Sequence, residues 1–223
     1  MLRQRVSLKS EIKELATRFL IRQGYRGLRF SDISEALQMT RANIHYHFGT
    51  KDQLVEEIIC DYADSVVDVL TEIWSSDDYY TNKVLATMEF NRSRYLALNP
   101  TGEANGPWSL ISRMRLESDM LSPTSRERLH RFSAQVDALI EAAIAKACTA
   151  EEFTKNAPVK DIQLQIVIII DSAGSITMDA GSFTRLEQLY LAHLRLVSLG
   201  YGGPRSSVRA DNVTEPQQVP SAS

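Results

Sequence analysis

Gly27-Leu-Arg-Phe-Ser-Asp-Ile-Ser-Glu-Ala-Leu-Gln-Met-Thr-Arg-Ala-Asn-Ile-His-Tyr-His-Phe-Gly-Thr-Lys51 carries two short amphipathic segments on either side of Gln38-Met39-Thr40. Ile33 and Leu37 stand four apart, as do Ile44 and Phe48, so each segment presents one apolar stripe at helical spacing. Ser31 and Thr40 are residue types that cap helix starts. Upstream, Leu8, Ile12, Leu15, Ala16, Phe19 and Leu20 form a longer stripe on which both segments can pack, and Gly24 supplies the left-handed residue that commonly closes a helix. Met39 then points the turn inward. Two helices joined this tightly make a helix-turn-helix, whose second helix lies in the DNA major groove.

At 100° per residue, the positions facing away from Ile44 are Ala42, Asn43, His45 and Tyr46. That face is short, polar and nearly uncharged, suited to base edges. Asn43 can make paired hydrogen bonds to an adenine, and Ala42 can pack on a thymine methyl. Arg41 can reach a guanine or a phosphate, or lie as a solvated flank. Lys51 and the first amides of the following helix form an anion site, because a helix N-terminus offers free N–H groups and a positive dipole. For His47 a packing role competes with a phosphate contact. His45 and His47 are two apart and diverge on a helix, so they do not chelate a metal as an i, i+4 pair would.

The charge distribution agrees. Residues 1–52 of the 223 carry +5 and the remainder −8, a basic head on an acidic body. Such asymmetry suits a polyanion partner for the head only. Cys60 and Cys148 are far apart and fit buried thiols in a reducing cytosol. The charged opening, with Arg3 and Arg5, is no signal peptide. The most apolar run, 162–170, is interrupted by Gln163 and Gln165 and ended by Asp171, short of the ~20 residues a membrane span needs. A soluble, cytoplasmic protein is expected.

Helical periodicity continues to residue 200. Thr50-Lys-Asp-Gln53 reads as a capping box that opens a helix to about residue 74, the element joining head to body and the one expected to move. Further helices are expected over 81–98, 108–121, 123–147, 161–178 and 184–199, with a short piece opened by a second capping box at Thr149-Ala-Glu-Glu152 and ending near Pro158. The β-branched run Val167-Ile-Ile-Ile170 is read as helix, since no second strand-like run exists to pair with it. Beyond Gly200 few large apolar groups remain, so residues 201–223 are expected to be a disordered tail. The fold class is all-α.

Gly24-Tyr25, Asp32-Ile33 and Ile44-His-Tyr-His-Phe48-x-x-Lys51 resemble the TetR family of bacterial transcriptional regulators, over the first fifth to quarter of the chain. The resemblance implies a DNA-binding domain at 1–50 and an effector-binding and dimerisation domain at 51–200. It implies DNA contacts at Ser31, Thr40, Arg41, Ala42, Asn43, His45, Tyr46, His47 and Lys51. It further implies a homodimer through the last two helices, a palindromic double-stranded operator, and release by a small-molecule effector. Two positions depart from the family pattern. Gln38 stands where glycine is usual, implying a strained or differently shaped turn, and His45 stands where tyrosine is common.

The apolar residues of the last two helices, among them Ile162, Ile166, Ile169, Ile170, Leu186, Leu189, Tyr190 and Leu194, are either the core of the body or a four-helix seam with a second copy. A small-molecule pocket wants aromatic walls and a few placed polar groups. Phe90, Arg94, Trp108, Met114, Arg115 and Asp171 are the candidates, although Asp171 also fits a solvent-facing rim, and Arg113 with Glu117 fits an ordinary helix pair. No glycine-rich phosphate loop, His-x-x-x-His pair or nucleophile–base context points to an enzyme, a metal or a cofactor. The expected function is a ligand-responsive repressor. The alternatives are an effector-independent DNA-binding protein and a helical enzyme or adaptor with a vestigial head.

Overall fold

The computed structural model describes residues 7–100 and 106–206, all helical apart from their connections. Three helices, α1 (Leu8–Gly27), α2 (Phe30–Ala36) and α3 (Arg41–Phe48), make the N-terminal head. From there α4 (Lys51–Ser75) leads into α5 (Tyr80–Leu98), α6 (Leu110–Leu116), a 3-10 turn at Ser118–Met120, α7 (Pro123–Thr149), α8 (Val159–Asp171), α9 (Ala173–Ala180) and α10 (Thr184–Tyr201).

Ile12, Ala16, Leu20, Ile33, Ile44 and Phe48 are buried together, so the stripes of α1, α2 and α3 meet as their spacing requires. The cluster continues into α4 through Leu54 and Ile58 and on into the remaining helices as one core. The capping box forms in full: Thr50 Oγ1 accepts from Gln53 N, and Gln53 Oε1 accepts from Thr50 N at 2.9 Å. α4 then packs along α7, burying Ile59, Ala63, Val66, Leu70 and Trp74.

Several details differ from the sequence expectation. Ser31 does not cap α2, which begins one residue earlier, at Phe30. Its Oγ donates instead to Asp32 Oδ1 at 3.0 Å. No helix opens at Thr149, which is the last residue of α7; its hydroxyl donates back to Ala145 O, and Glu151 turns to φ +60°. The amides of Ala150 and Glu152 are taken up by the carbonyls of Lys146 and Ala147, which leaves no free amides for a new first turn. The helix expected over 161–178 breaks at Ser172 by 61°, because α9 must lay Gly174 against α6, where a β-carbon would come within 2.5 Å of Ser112 Oγ. Residues 201–206 of the expected disordered tail are held. Gly202 bridges to Phe153, and Gly203 N and Arg205 N donate to Glu152 O and Glu151 O. Residues 207–223 lie outside the described residues.

Gln38 has φ +52°, a left-handed conformation that costs an L-residue ~1–2 kcal/mol. The turn is therefore strained, as the missing glycine implied, and it is held by Met39 N donating to Ser34 O at 2.9 Å. No single helix among the described residues is long and apolar enough to cross a membrane.

His193 of α10 is buried, with its Nε2 2.7 Å from Tyr80 Oη and its Nδ1 3.3 Å from Gln165 Oε1. Because Gln165 Oε1 can only accept, Nδ1 carries the proton and Tyr80 donates to Nε2. Burial pushes the imidazole down to about 4. The unfolded chain, at the ordinary 6.5, binds that proton first, so stability should fall as pH drops from about 6.5 toward 4, by at most about 3 kcal/mol. Thermal denaturation across that range should show a shallower loss for His193→Gln than for the parent protein; equal slopes would place the pH sensitivity elsewhere.

Candidate DNA-reading face and internal cavity

Thr40 caps α3, its Oγ1 accepting from Asn43 N at 3.3 Å, and this fixes the rotation of the helix over the core. With Ile44 and Phe48 buried beneath, Arg41, Ala42, Asn43, His45 and Tyr46 stand exposed, Tyr46 to 86%. His45 does more than face outward. Its Nδ1–H donates to Gly49 O at 2.7 Å, and its ring packs edge-on against Phe30 at 4.9 Å, tying α3 to α2. Its Nε2 carries no partner among the described residues. His47 is half-buried between the rings of Tyr46 and Phe48, so packing and surface roles coexist there.

Lys51 opens α4 with its ammonium 4.2 Å from the centre of the Tyr25 ring. Burial lowers its affinity for a proton, Asp52 and Glu117 oppose that, and Arg29 adds to it. Tyr25 in turn donates its hydroxyl to Asp52, and burial together with that carboxylate pushes the phenol up to about 12. The cation at the head of α4 is thus held on an aromatic platform rather than swinging freely. Spacing alone missed this, although Gly24-Tyr25 was part of the resemblance.

Tyr25 also marks where the head meets α6. Glu117, just past α6, accepts from Tyr25 N at 2.8 Å and from Arg26 N at 3.4 Å while pairing with Arg113 at 3.0 Å. Gly24, at φ +75° and ψ −178°, breaks α1 there, and a β-carbon on it would lie 1.9 Å from Glu117 Oε1. The i, i+4 pair read as ordinary is therefore also the body's grip on the head. Two elements, α4 and α6, join the two parts.

Five of the six pocket candidates, Phe90, Arg94, Trp108, Arg115 and Asp171, line one cavity among α4, α5, α6, α7 and α8. Met114 does not; it faces the core from α6, fully buried, about 100° round that helix from Arg115. Asp171 is no solvent-facing rim residue: it accepts from Arg115 Nη2 at 3.4 Å and from Ser133 Oγ at 3.2 Å. Trp108 is fixed by its indole N–H, which donates to Thr177 Oγ1 at 2.7 Å. The cavity measures about 20 Å³, room for roughly one water.

The last helices divide their apolar residues between two faces. Ile162, Ile166, Leu186, Tyr190 and Leu194 are core, while Leu164, Ile168, Leu189, Leu196 and Leu199 are exposed. Along α8 and α10 the surface opens into a groove of about 850 Å³ that includes Ile162, Leu196, Leu199 and Tyr201.

A helix-turn-helix on an all-helical body is the plan of a transcriptional regulator, and the comparisons agree. Residues 12–58 match the model of the bacterial regulatory proteins of the tetR family, so the resemblance drawn from residues 24–51 stands. No curated protein matches the chain in sequence. Solved structures extend the likeness of fold over most of the chain. A TetR transcriptional regulator from Legionella pneumophila is 20% identical, with 86% of this chain and 98% of that one covered and a TM-score of 0.67. NemR of E. coli, in its reduced form, is 14% identical, covering 89% and 100%, with a TM-score of 0.71. A regulator from Saccharomonospora viridis in complex with choline is 18% identical, covering 87% and 97%, with a TM-score of 0.68. The chain has the fold of a TetR-type transcriptional regulator, headed by that family's helix-turn-helix.

Proposed function

We propose that the chain is a cytoplasmic, ligand-responsive transcriptional repressor that binds a palindromic operator as a homodimer and leaves it when a small molecule occupies the body. The observation that carries the reading is the face of α3: Ala42, Asn43 and Tyr46 exposed directly above buried Ile44 and Phe48. Asn43 reads an adenine and Ala42 a thymine methyl. Arg41 reaches a guanine or phosphate, and Ser31, Thr40, His45, Tyr46, His47 and Lys51 hold the backbone. In a two-fold dimer the two α3 helices enter successive major grooves ~34–36 Å apart. The exposed leucines and isoleucine of α8 and α10 support pairing through those helices.

Repression that responds to a ligand needs a state the ligand prefers, typically by ~1–3 kcal/mol of coupling. The cavity shares α6 with the grip on the head, since Ser112 and Arg115 line it and Glu117, just past that helix, holds the amides of residues 25 and 26. The choline complex of the S. viridis protein supports a fold that admits a small molecule. The small volume of the cavity favours a second reading, an effector-independent DNA-binding protein whose body only dimerises.

DNA flanking the gene, probed by footprinting, should contain a protected palindrome. On it Asn43→Ala should lose ~1–3 kcal/mol at one base pair of each half-site, whereas Lys51→Ala should weaken all sequences alike and flatten the salt dependence. Operator binding undiminished by Asn43→Ala together with Tyr46→Ala would hand the function to the rival adaptor or enzyme reading.

A further inference from the structure

The guanidinium of Arg94, on α5, sits among three rings, 5.1 Å from the centres of Tyr62 and Phe90 and 5.2 Å from that of Trp108. It donates to Tyr62 Oη, and that oxygen also accepts from Leu110 N at 3.3 Å, so the cage is braced by the first turn of α6. Arg94 is half-buried, and among the described residues it pairs with no carboxylate. The other cation of the cavity, Arg115, has its counter-ion: Asp171 accepts from it and from Ser133. The lining thus holds two guanidiniums and one carboxylate, and that carboxylate is already taken. The remaining wall sets apolar Val66, Leu70, Phe132 and Ile170 beside the neutral polar groups of Asn91, Ser109 and Ser112.

We propose that this cavity takes an organic monoanion, a carboxylate on an apolar body, with the carboxylate paired to Arg94. The inference rests on the ligand-responsive reading above and names the chemical class of its effector. A guanidinium offers a planar fork that matches a carboxylate's two oxygens, and Arg94 keeps N–H groups beyond the one it gives to Tyr62. A cationic guest would compete with Arg94 for the same three rings and would displace an unpaired charge within a poorly solvated site. A neutral guest would leave the excess charge uncompensated. Because the present volume is that of about one water, the guest enters by moving α6 outward. That movement carries Trp108 and Arg115 with it, and it pulls on Glu117.

Trp108 reports on the cage and Trp74 is the only other tryptophan, so a Trp74→Phe background isolates the signal. Octanoate, octanamide and octyltrimethylammonium share a chain and differ in charge. Octanoate is expected to change Trp108 emission saturably and to lower the operator-bound fraction, with octanamide at least tenfold weaker and the ammonium weaker still. Arg94→Met should weaken octanoate at least tenfold, and Arg94→Lys, keeping charge without the fork, should fall between. Amide or ammonium binding as tight as octanoate, or octanoate affinity unmoved by Arg94→Met, overturns the anion assignment and leaves a ligand-responsive regulator of another specificity. Silence of Trp108 and of the DNA-bound fraction toward all three overturns the assignment and removes support for ligand response as well. The charge series on the parent protein decides the matter even where Arg94→Met fails to fold.

Discussion

Leu196→Asp with Leu199→Asp is expected to yield a folded monomer that has lost at least a hundredfold in operator affinity. Both leucines are among the most exposed apolar side chains of the molecule, at 66% and 73%, so the subunit's own core does not depend on them. With Ile162 and Tyr201 they line the groove along α8 and α10, apolar surface of the kind that marks an association site. Placing two carboxylates in that groove desolvates charge without a partner whenever a second copy docks. Each head would then meet its half-site alone and forfeit the 10²–10⁴ gained when a second contact becomes intramolecular. Light scattering reads the mass and fluorescence anisotropy the affinity. A dimer that persists in the double variant would place the two-fold elsewhere.

Gly24→Ala should lower the melting temperature by roughly 5–10 °C, the second large effect expected. The backbone at φ +75° and ψ −178° lies in a region essentially reserved for glycine, at a cost of ~1–3 kcal/mol for any other residue, and the new methyl would overlap the Glu117 carboxylate. Glu117→Ala alone should also destabilise, since the amides of Tyr25 and Arg26 lose their acceptor and Arg113 its counter-ion. Combined, the two changes should cost less than their sum, because removing the carboxylate makes room for the methyl. A strictly additive double variant, measured by chemical denaturation, would mean that Glu117 is not seated at Gly24 in solution.

The head was legible because each of its decisions is local. Stripe spacing at Ile33, Leu37, Ile44 and Phe48, together with the caps at Thr40 and Thr50, fixes three helix positions without reference to anything distant. The body yielded its helices but not their ends or partners. The break at Ser172 answers to Gly174 meeting Ser112, sixty residues away, and the fate of Thr149 depends on where α7 finishes. For the cavity, residue chemistry sufficed to gather Phe90, Arg94, Trp108, Arg115 and Asp171, because aromatic rings and charges on otherwise apolar helices have few places to go. Met114 failed that test because a thioether suits any core equally. Glu117 escaped notice because an i, i+4 pair with Arg113 explains it fully until the amides of residues 25 and 26 are seen beside it.

The bridge between Gly202 and Phe153, with the amides of Gly203 and Arg205 bound to Glu152 and Glu151, fastens the far end of α10 to the corner below α7. The same helix is tied along its length to α5, by Glu187 to Arg92, Tyr190 to Asn91 and His193 to Tyr80. Any repositioning of α10 therefore takes α5 with it, with Phe183 riding on the Arg92 guanidinium. The two helices travel as one piece, and paired labels at Ser182 and Ser93 would keep their separation through any such movement.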